Sequence, residues 1–342
     1  MIGVSIVNNW KKKAMALFLV GVLLTGVLAG CGSQQEEAAE AVPEDTQQVA
    51  YVEPEVMEEV VLEDEMVALS AAPAVSNGLI PKAPGTLVKK NASAVIDYSN
   101  TKDGYVMVNF TAKTDKKLKV QVKGPTTTYT YNITPGAWTA FPLSDGNGNY
   151  MVSVYQNVDG SKYSMVVATA CKVALTDEFG PFLYSNQYVD YDKAPNTVAK
   201  AAELTAGITD PLKKVEAVYN FVIKNMTYDK ALAASVQSGY LPVLDQVLAK
   251  KTGICFDYAA LMAGMLRSQG VPCKLVVGYS GSAYHAWISV WSKQTGWVDG
   301  AIYFDGVSWM RMDPTYASTG NNSASIKQYI GNGANYSEKY FY

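Results

Sequence analysis

Histidine occurs once in this chain of 342 residues, at position 285. A single imidazole, with no Cys-x-x-Cys pair anywhere, excludes the usual structural zinc sites, and neither metal nor cofactor is expected. Lysine and arginine are absent between Lys13 and Lys82, while residues 32–81 hold 12 Asp and Glu. Such a segment repels itself and lacks the apolar surface to fold, so it reads as a disordered acidic tether. As a flexible coil its reach is on the order of 40 Å. From Lys82 onward, 25 basic residues stand against 19 acidic ones, a net of about +6. That charge suits an anionic envelope surface and is too dispersed for nucleic acid, which needs clustered Lys and Arg. The apolar stretch from Ala14 to Leu28 is too short for a comfortable membrane span.

What surrounds that stretch has the form of an address. Lys11, Lys12 and Lys13 precede it, and Leu28-Ala29-Gly30-Cys31 closes it. The tetrapeptide resembles the lipobox of bacterial lipoproteins. The resemblance implies that residues 1–30 are a signal peptide and that Cys31 is lipidated to become the mature N-terminus. An uncleaved anchor and a plain secretory signal are the alternatives. On the lipoprotein reading the protein is extracytoplasmic, held to the membrane by acyl chains and by the tether over 31–81.

Two folded units are expected after the tether. Residues 82–178 read as all-β. Val106, Val108 and Phe110 alternate with Tyr105, Met107 and Asn109, and Leu118, Val120 and Val122 alternate with Lys119, Gln121 and Lys123. Similar runs at 127–132, 150–156 and 163–169 are separated by Asp-Gly, Gly-Pro and Pro-Gly turns, the pattern of a small β-sandwich. Asp145-Gly146-Asn147-Gly148-Asn149 begins like a calcium loop, but Tyr150 and Gln156 stand where its glycine and closing Glu belong, and it reads as a hairpin turn. Residues 179–342 read as α+β. Asp210-Pro211 starts a helix carrying Leu212, Val215, Val218, Tyr219 and Val222, a second spans about 242–250, and a third runs from Cys255 to Ser268 and stops at Gly270. Strands follow at 274–279, 284–291 and 307–313.

The lone histidine lies in the strand pattern Tyr284-His285-Ala286-Trp287, with Cys255 thirty positions before it and Asp313 twenty-eight after. A thiol at a helix start meets unpaired N–H groups and the positive end of the helix dipole, which favour thiolate. An imidazole and a carboxylate complete the parts of an activated nucleophile. Asp257 in the same helix turn stabilises the dipole whatever the activity.

Gly253-Ile254-Cys255-Phe256-Asp257-Tyr258-Ala259, Leu266 to Pro272, Val276 to Tyr279, His285-Ala286-Trp287 and Met312-Asp313-Pro314-Thr315 resemble the core of the transglutaminase-like superfamily over roughly residues 195–318. The resemblance implies a papain-like α+β core and thiol acyl transfer at amide bonds, with Cys255, His285 and Asp313 as catalytic triad. It also implies an oxyanion role for Tyr228, which stands where relatives carry an aromatic residue; a core tyrosine is the alternative. The spacing departs from the family pattern after Gly296-Trp297-Val298-Asp299, which makes Asp299 a rival orienting carboxylate. Cys171 and Cys273 are left over, either paired or as buried free thiols.

The expected function is a cell-surface lipoprotein that hydrolyses or transfers amide bonds through a Cys255 acyl-enzyme, with a protein, peptide or cell-envelope peptide as substrate. Hydrolysis is expected over transfer because water is the default acceptor and nothing marks an amine-binding tunnel. A cross-linking transglutaminase and an inert transglutaminase-like binding module are the competing readings. The C-terminal stretch with Tyr329, Tyr336, Tyr340, Phe341 and Tyr342 is expected to pack along the domain, or to line the cleft.

Overall fold

Short alternating runs punctuated by Gly and Pro turns give the first half of the folded chain its strands. The computed structural model of the protein describes residues 78–292, 296–298, 303–304, 309–310, 313–320, 325, 330 and 333–342. Residues 1–77, which hold the expected signal peptide, Cys31 and most of the expected tether, lie outside the described residues, as do Asp299 and Tyr329.

Two four-stranded antiparallel sheets form a β-sandwich. One has the order β1 (Val88–Lys90), β2 (Ala94–Asp97), β3 (Tyr105–Phe110), β6 (Thr139–Pro142); the other runs β5 (Thr128–Ile133), β4 (Leu118–Lys123), β7 (Gly148–Asp159), β8 (Lys162–Val173). Ile96, Val106, Val108 and Phe110 from the first sheet share a core with Val120, Val122, Tyr131, Val152 and Val154 from the second. The turn at Asp145-Gly146 is not a hairpin, because β6 and β7 belong to different sheets. It is a crossover between the layers, tied down by the Asp145 carboxylate. That group accepts from the Thr126 hydroxyl at 2.6 Å and from the Thr127 N–H at 2.9 Å.

The second half places helices before and behind a sheet. Its helices are α1 (Pro195–Leu204), α2 (Pro211–Asn225), α3 (Lys230–Ser235), α4 (Leu244–Lys250), α5 (Cys255–Ser268) and α6 (Pro314–Thr319). β9 (Thr227–Tyr228) pairs in parallel with β10 (Thr252–Gly253). The main sheet has the order β13 (Gly296–Val298), β12 (Ala283–Ser292), β11 (Cys273–Ser280), β16 (Tyr336–Phe341), and β14 (Tyr303–Phe304) pairs with β15 (Trp309–Met310). Together the two halves are an all-β sandwich followed by an α+β unit.

α2 starts as its sequence directs, with the Asp210 carboxylate accepting from the Leu212 N–H at 2.8 Å and Pro211 in the first turn. α1 has no cap of its own. The N–H groups of Asn196 and Thr197 donate instead to Asp245 of α4, at 3.1 and 2.7 Å. α5 is buried from Asp257 to Ser268 on all sides, as expected of a helix apolar around its whole circumference. An aromatic seam joins the two halves: Tyr131 of β5 contacts Tyr188, and Tyr188 contacts Phe256, the neighbour of Cys255.

Candidate active site

Cys255 is the first residue of α5, and its surroundings are local. The β9–β10 pair lays Tyr228 opposite Gly253, and the Asp229 N–H donates to the Gly253 carbonyl at 2.9 Å. A Cβ on Gly253 would fall 2.5 Å from the Cβ of Asp257, so only glycine fits. Asp257 is fully buried; it accepts from the Ile254 N–H at 2.8 Å and from the Tyr240 hydroxyl at 2.7 Å. The acid at this position therefore caps the helix that presents the thiol. Burial pushes its carboxyl up, against the pull of those two bonds.

His285 projects from β12, opposite Gly278 of β11, and is 6% exposed. Its Nε2 lies 2.5 Å from Oδ2 of Asp313. Its ring stacks on Tyr316 with centroids 4.8 Å apart. The Cys255 thiol lies close enough to act on the same ring, by hydrogen bonding and by charge. Burial alone would lower the imidazole's proton affinity. The Asp313 charge and bond, with the Cys255 bond, overcome it and hold the ring well above the ordinary histidine value.

Asp313 differs from expectation in how it is held. It does not close a strand; it is the N-cap of α6, whose Thr315 and Tyr316 N–H groups donate to Oδ1 at 3.1 Å each. One oxygen thus anchors the carboxylate to a helix start while the other faces the imidazole. The carboxylate has no solvent exposure. Sequence reasoning missed a further partner: the Tyr336 hydroxyl of β16 donates to Oδ2 at 3.2 Å. Nothing local to Tyr336 signals this, because the contact spans 23 positions and depends on strand pairing.

Tyr228 is half-buried beside the thiol. Burial, then the charge of Cys255, push its hydroxyl up to about 12. Cys171 and Cys273 are separate free thiols. Burial raises both, Cys273 to about 12, which suits neither to act as a nucleophile.

Parts of the chain are similar to known proteins. Residues 198–314 match the model of the transglutaminase-like superfamily. Over 172 residues the chain is 26% identical to the uncharacterized protein YebA of Bacillus subtilis, a match covering 44% of this chain and 22% of YebA. Over 86 residues it is 29% identical to a protein-glutamine gamma-glutamyltransferase of Pseudomonas aeruginosa, covering 21% of this chain and 11% of that protein. The chain therefore spans less than a quarter of the length of these curated relatives. A solved structure from Cytophaga hutchinsonii, proposed to be a cysteine protease, aligns at 15% identity and a TM-score of 0.35 over 75% of this chain and 73% of that one. Residues 198–314 thus form a transglutaminase-like region of this chain.

Proposed function

We propose that this protein is a cell-surface thiol enzyme that cleaves amide bonds in proteins or peptides through a thioester on Cys255. The observation that carries the reading is the gathering of a thiol, an imidazole and a fully buried carboxylate, with the ring bonded to the carboxylate and its proton affinity raised by both neighbours. His285 takes the thiol proton, and Sγ attacks the carbonyl carbon. The oxyanion forms against N–H groups at the start of α5. In this reading the Tyr228 hydroxyl, half-buried near the thiol, donates to the same oxygen. His285 then hands its proton to the leaving amine as the C–N bond breaks, which leaves the thioester. Water, deprotonated by His285, attacks the thioester and releases the acid and the thiol. Asp313 keeps the imidazole in one tautomer and orientation throughout.

An amine in place of water would make the same centre a transferase. The name of the Pseudomonas aeruginosa relative is what favours that second reading. Signal-peptide cleavage at Cys31 and acylation of its thiol would hold the enzyme at the outer face of a membrane, with the acidic tether giving it reach.

The test is to incubate the protein with a peptide mixture, quench in acid and weigh the intact chain. An adduct mapping to Cys255, absent in Cys255→Ser, supports the proposal. Added primary amine that is incorporated into product identifies transfer, and its exclusion identifies hydrolysis. No adduct and no peptide turnover would remove the enzymatic reading in favour of an inert binding module.

A further inference from the structure

A carboxylate with no exposure must meet its lone pairs with protein donors, because nothing else is there to solvate it. Asp313 does so with two backbone N–H groups on Oδ1, and with His285 and Tyr336 together on Oδ2. Tyr336 is itself held. It pairs with Ser280 in the β16–β11 register, and the Ser280 hydroxyl, 3% exposed, hydrogen-bonds its oxygen. Its ring meets Trp287 edge-on at 5.1 Å. Period-two alternation puts Ser280, Tyr336, His285 and Trp287 on one face of the sheet.

Gly278 makes this seating possible. It sits between His285 on β12 and Glu338 on β16, and the β16 register shifts beside it. A Cβ there would lie 2.0 Å from the Ser337 carbonyl oxygen, so any other residue would push β16 outward. The strand that follows the family-matched region is thereby drawn close enough for Tyr336 to reach the carboxylate.

Resting on the thiol-enzyme reading above, we propose that Tyr336, backed by Ser280, is a positioning residue that fixes the Asp313 carboxylate and tempers its hold on the imidazolium. A hydroxyl donating to Oδ2 draws charge from the oxygen that faces His285. The imidazolium is then held less tightly, and its proton remains available for the leaving amine. Burial, and after it the Asp313 charge, push the Tyr336 hydroxyl far above the ordinary phenol value, so it remains a donor. Among the described residues, the titratable groups around His285 are Cys255 from α5, Asp313 and Tyr316 from the start of α6 and, through Asp313, Tyr336 from β16.

The test needs no substrate. The rate of iodoacetamide alkylation at Cys255 is measured against pH in the full chain by peptide mass spectrometry, with buried Cys273 as internal reference. The wild type should show two inflections, ion-pair formation at low pH and loss of the imidazolium proton at high pH. In Tyr336→Phe, which keeps the ring against Trp287, the upper inflection should move up by about 0.5–1 pH unit. Ser280→Ala should move it the same way by less. A Tyr336→Phe profile that superimposes on the wild type overturns the proposal. So does a variant that exposes Cys273 and lowers Tm while leaving both inflections in place, since that is a purely structural role. A wild type with one ordinary thiol inflection overturns the thiol-enzyme reading and this proposal together, and is distinguishable from the other outcomes.

Discussion

The thiol end of the site is assembled from neighbours in sequence, whereas the carboxylate end draws on three distant segments. Between Gly253 and Asp257 the chain supplies the tight backbone, the helix start, the thiol and the capping acid. Asp313 instead depends on the first turn of α6, on His285 of β12 and on Tyr336 of β16. A locally built end tolerates rearrangement elsewhere, while a convergent end requires the sheet to be complete. Damage to the sheet should therefore reach reactivity through Asp313 and His285 rather than through Cys255.

The largest effect is expected where the two ends meet. Cys255→Ser should abolish acyl-enzyme formation, and His285→Ala should slow alkylation of Cys255 by roughly a hundredfold or more. Next comes the carboxylate. Asp313→Ala removes both the helix cap and the partner of a buried imidazole, and should cost about 3–5 kcal/mol in urea denaturation. Asp313→Asn keeps an oxygen for the α6 N–H groups, so it should lose clearly less stability than Ala while losing comparable reactivity. Equal stability losses would break the distinction between the two oxygens.

At the thiol end, Gly253→Ala should cost about 1–3 kcal/mol, because Asp257 must move. Tyr240→Phe, which strips one bond from a buried carboxylate, should cost a similar or smaller amount, about 1–3 kcal/mol. The smallest effect is a slope. The folded-state proton affinity of His285 lies above that of an unfolded histidine. Its contribution to stability is thus complete below about pH 6.5 and is lost as pH rises through the raised value. Denaturation midpoints should fall with alkaline pH, and His285→Gln should flatten that fall.

The same contrast explains what was legible in the sequence. α5 and its cysteine could be read because the apolar run, the preceding glycine and the terminal Gly270 are contiguous. The three motifs that carry Cys255, His285 and Asp313 could also be read in order. The seating of Asp313 was not read, although Asp313-Pro314 carries the same cap-and-proline signal that located α2 at Asp210-Pro211; the neighbouring strand-like residues concealed it. α1 was missed because its cap comes from Asp245, on another helix. The role of Tyr336 lies in a pairing register with Ser280 that no local pattern encodes. Long-range partners are where the sequence reading ended.

The central claim is that one thiol is activated by one imidazole. Alkylating the protein at neutral pH with limiting iodoacetamide, and comparing wild type with His285→Ala, tests it most directly. The account predicts a single fast-labelling cysteine, Cys255, whose rate collapses in the variant while Cys171 and Cys273 stay slow. Uniformly sluggish labelling of the cysteines, or a fast Cys255 indifferent to the loss of His285, would contradict it.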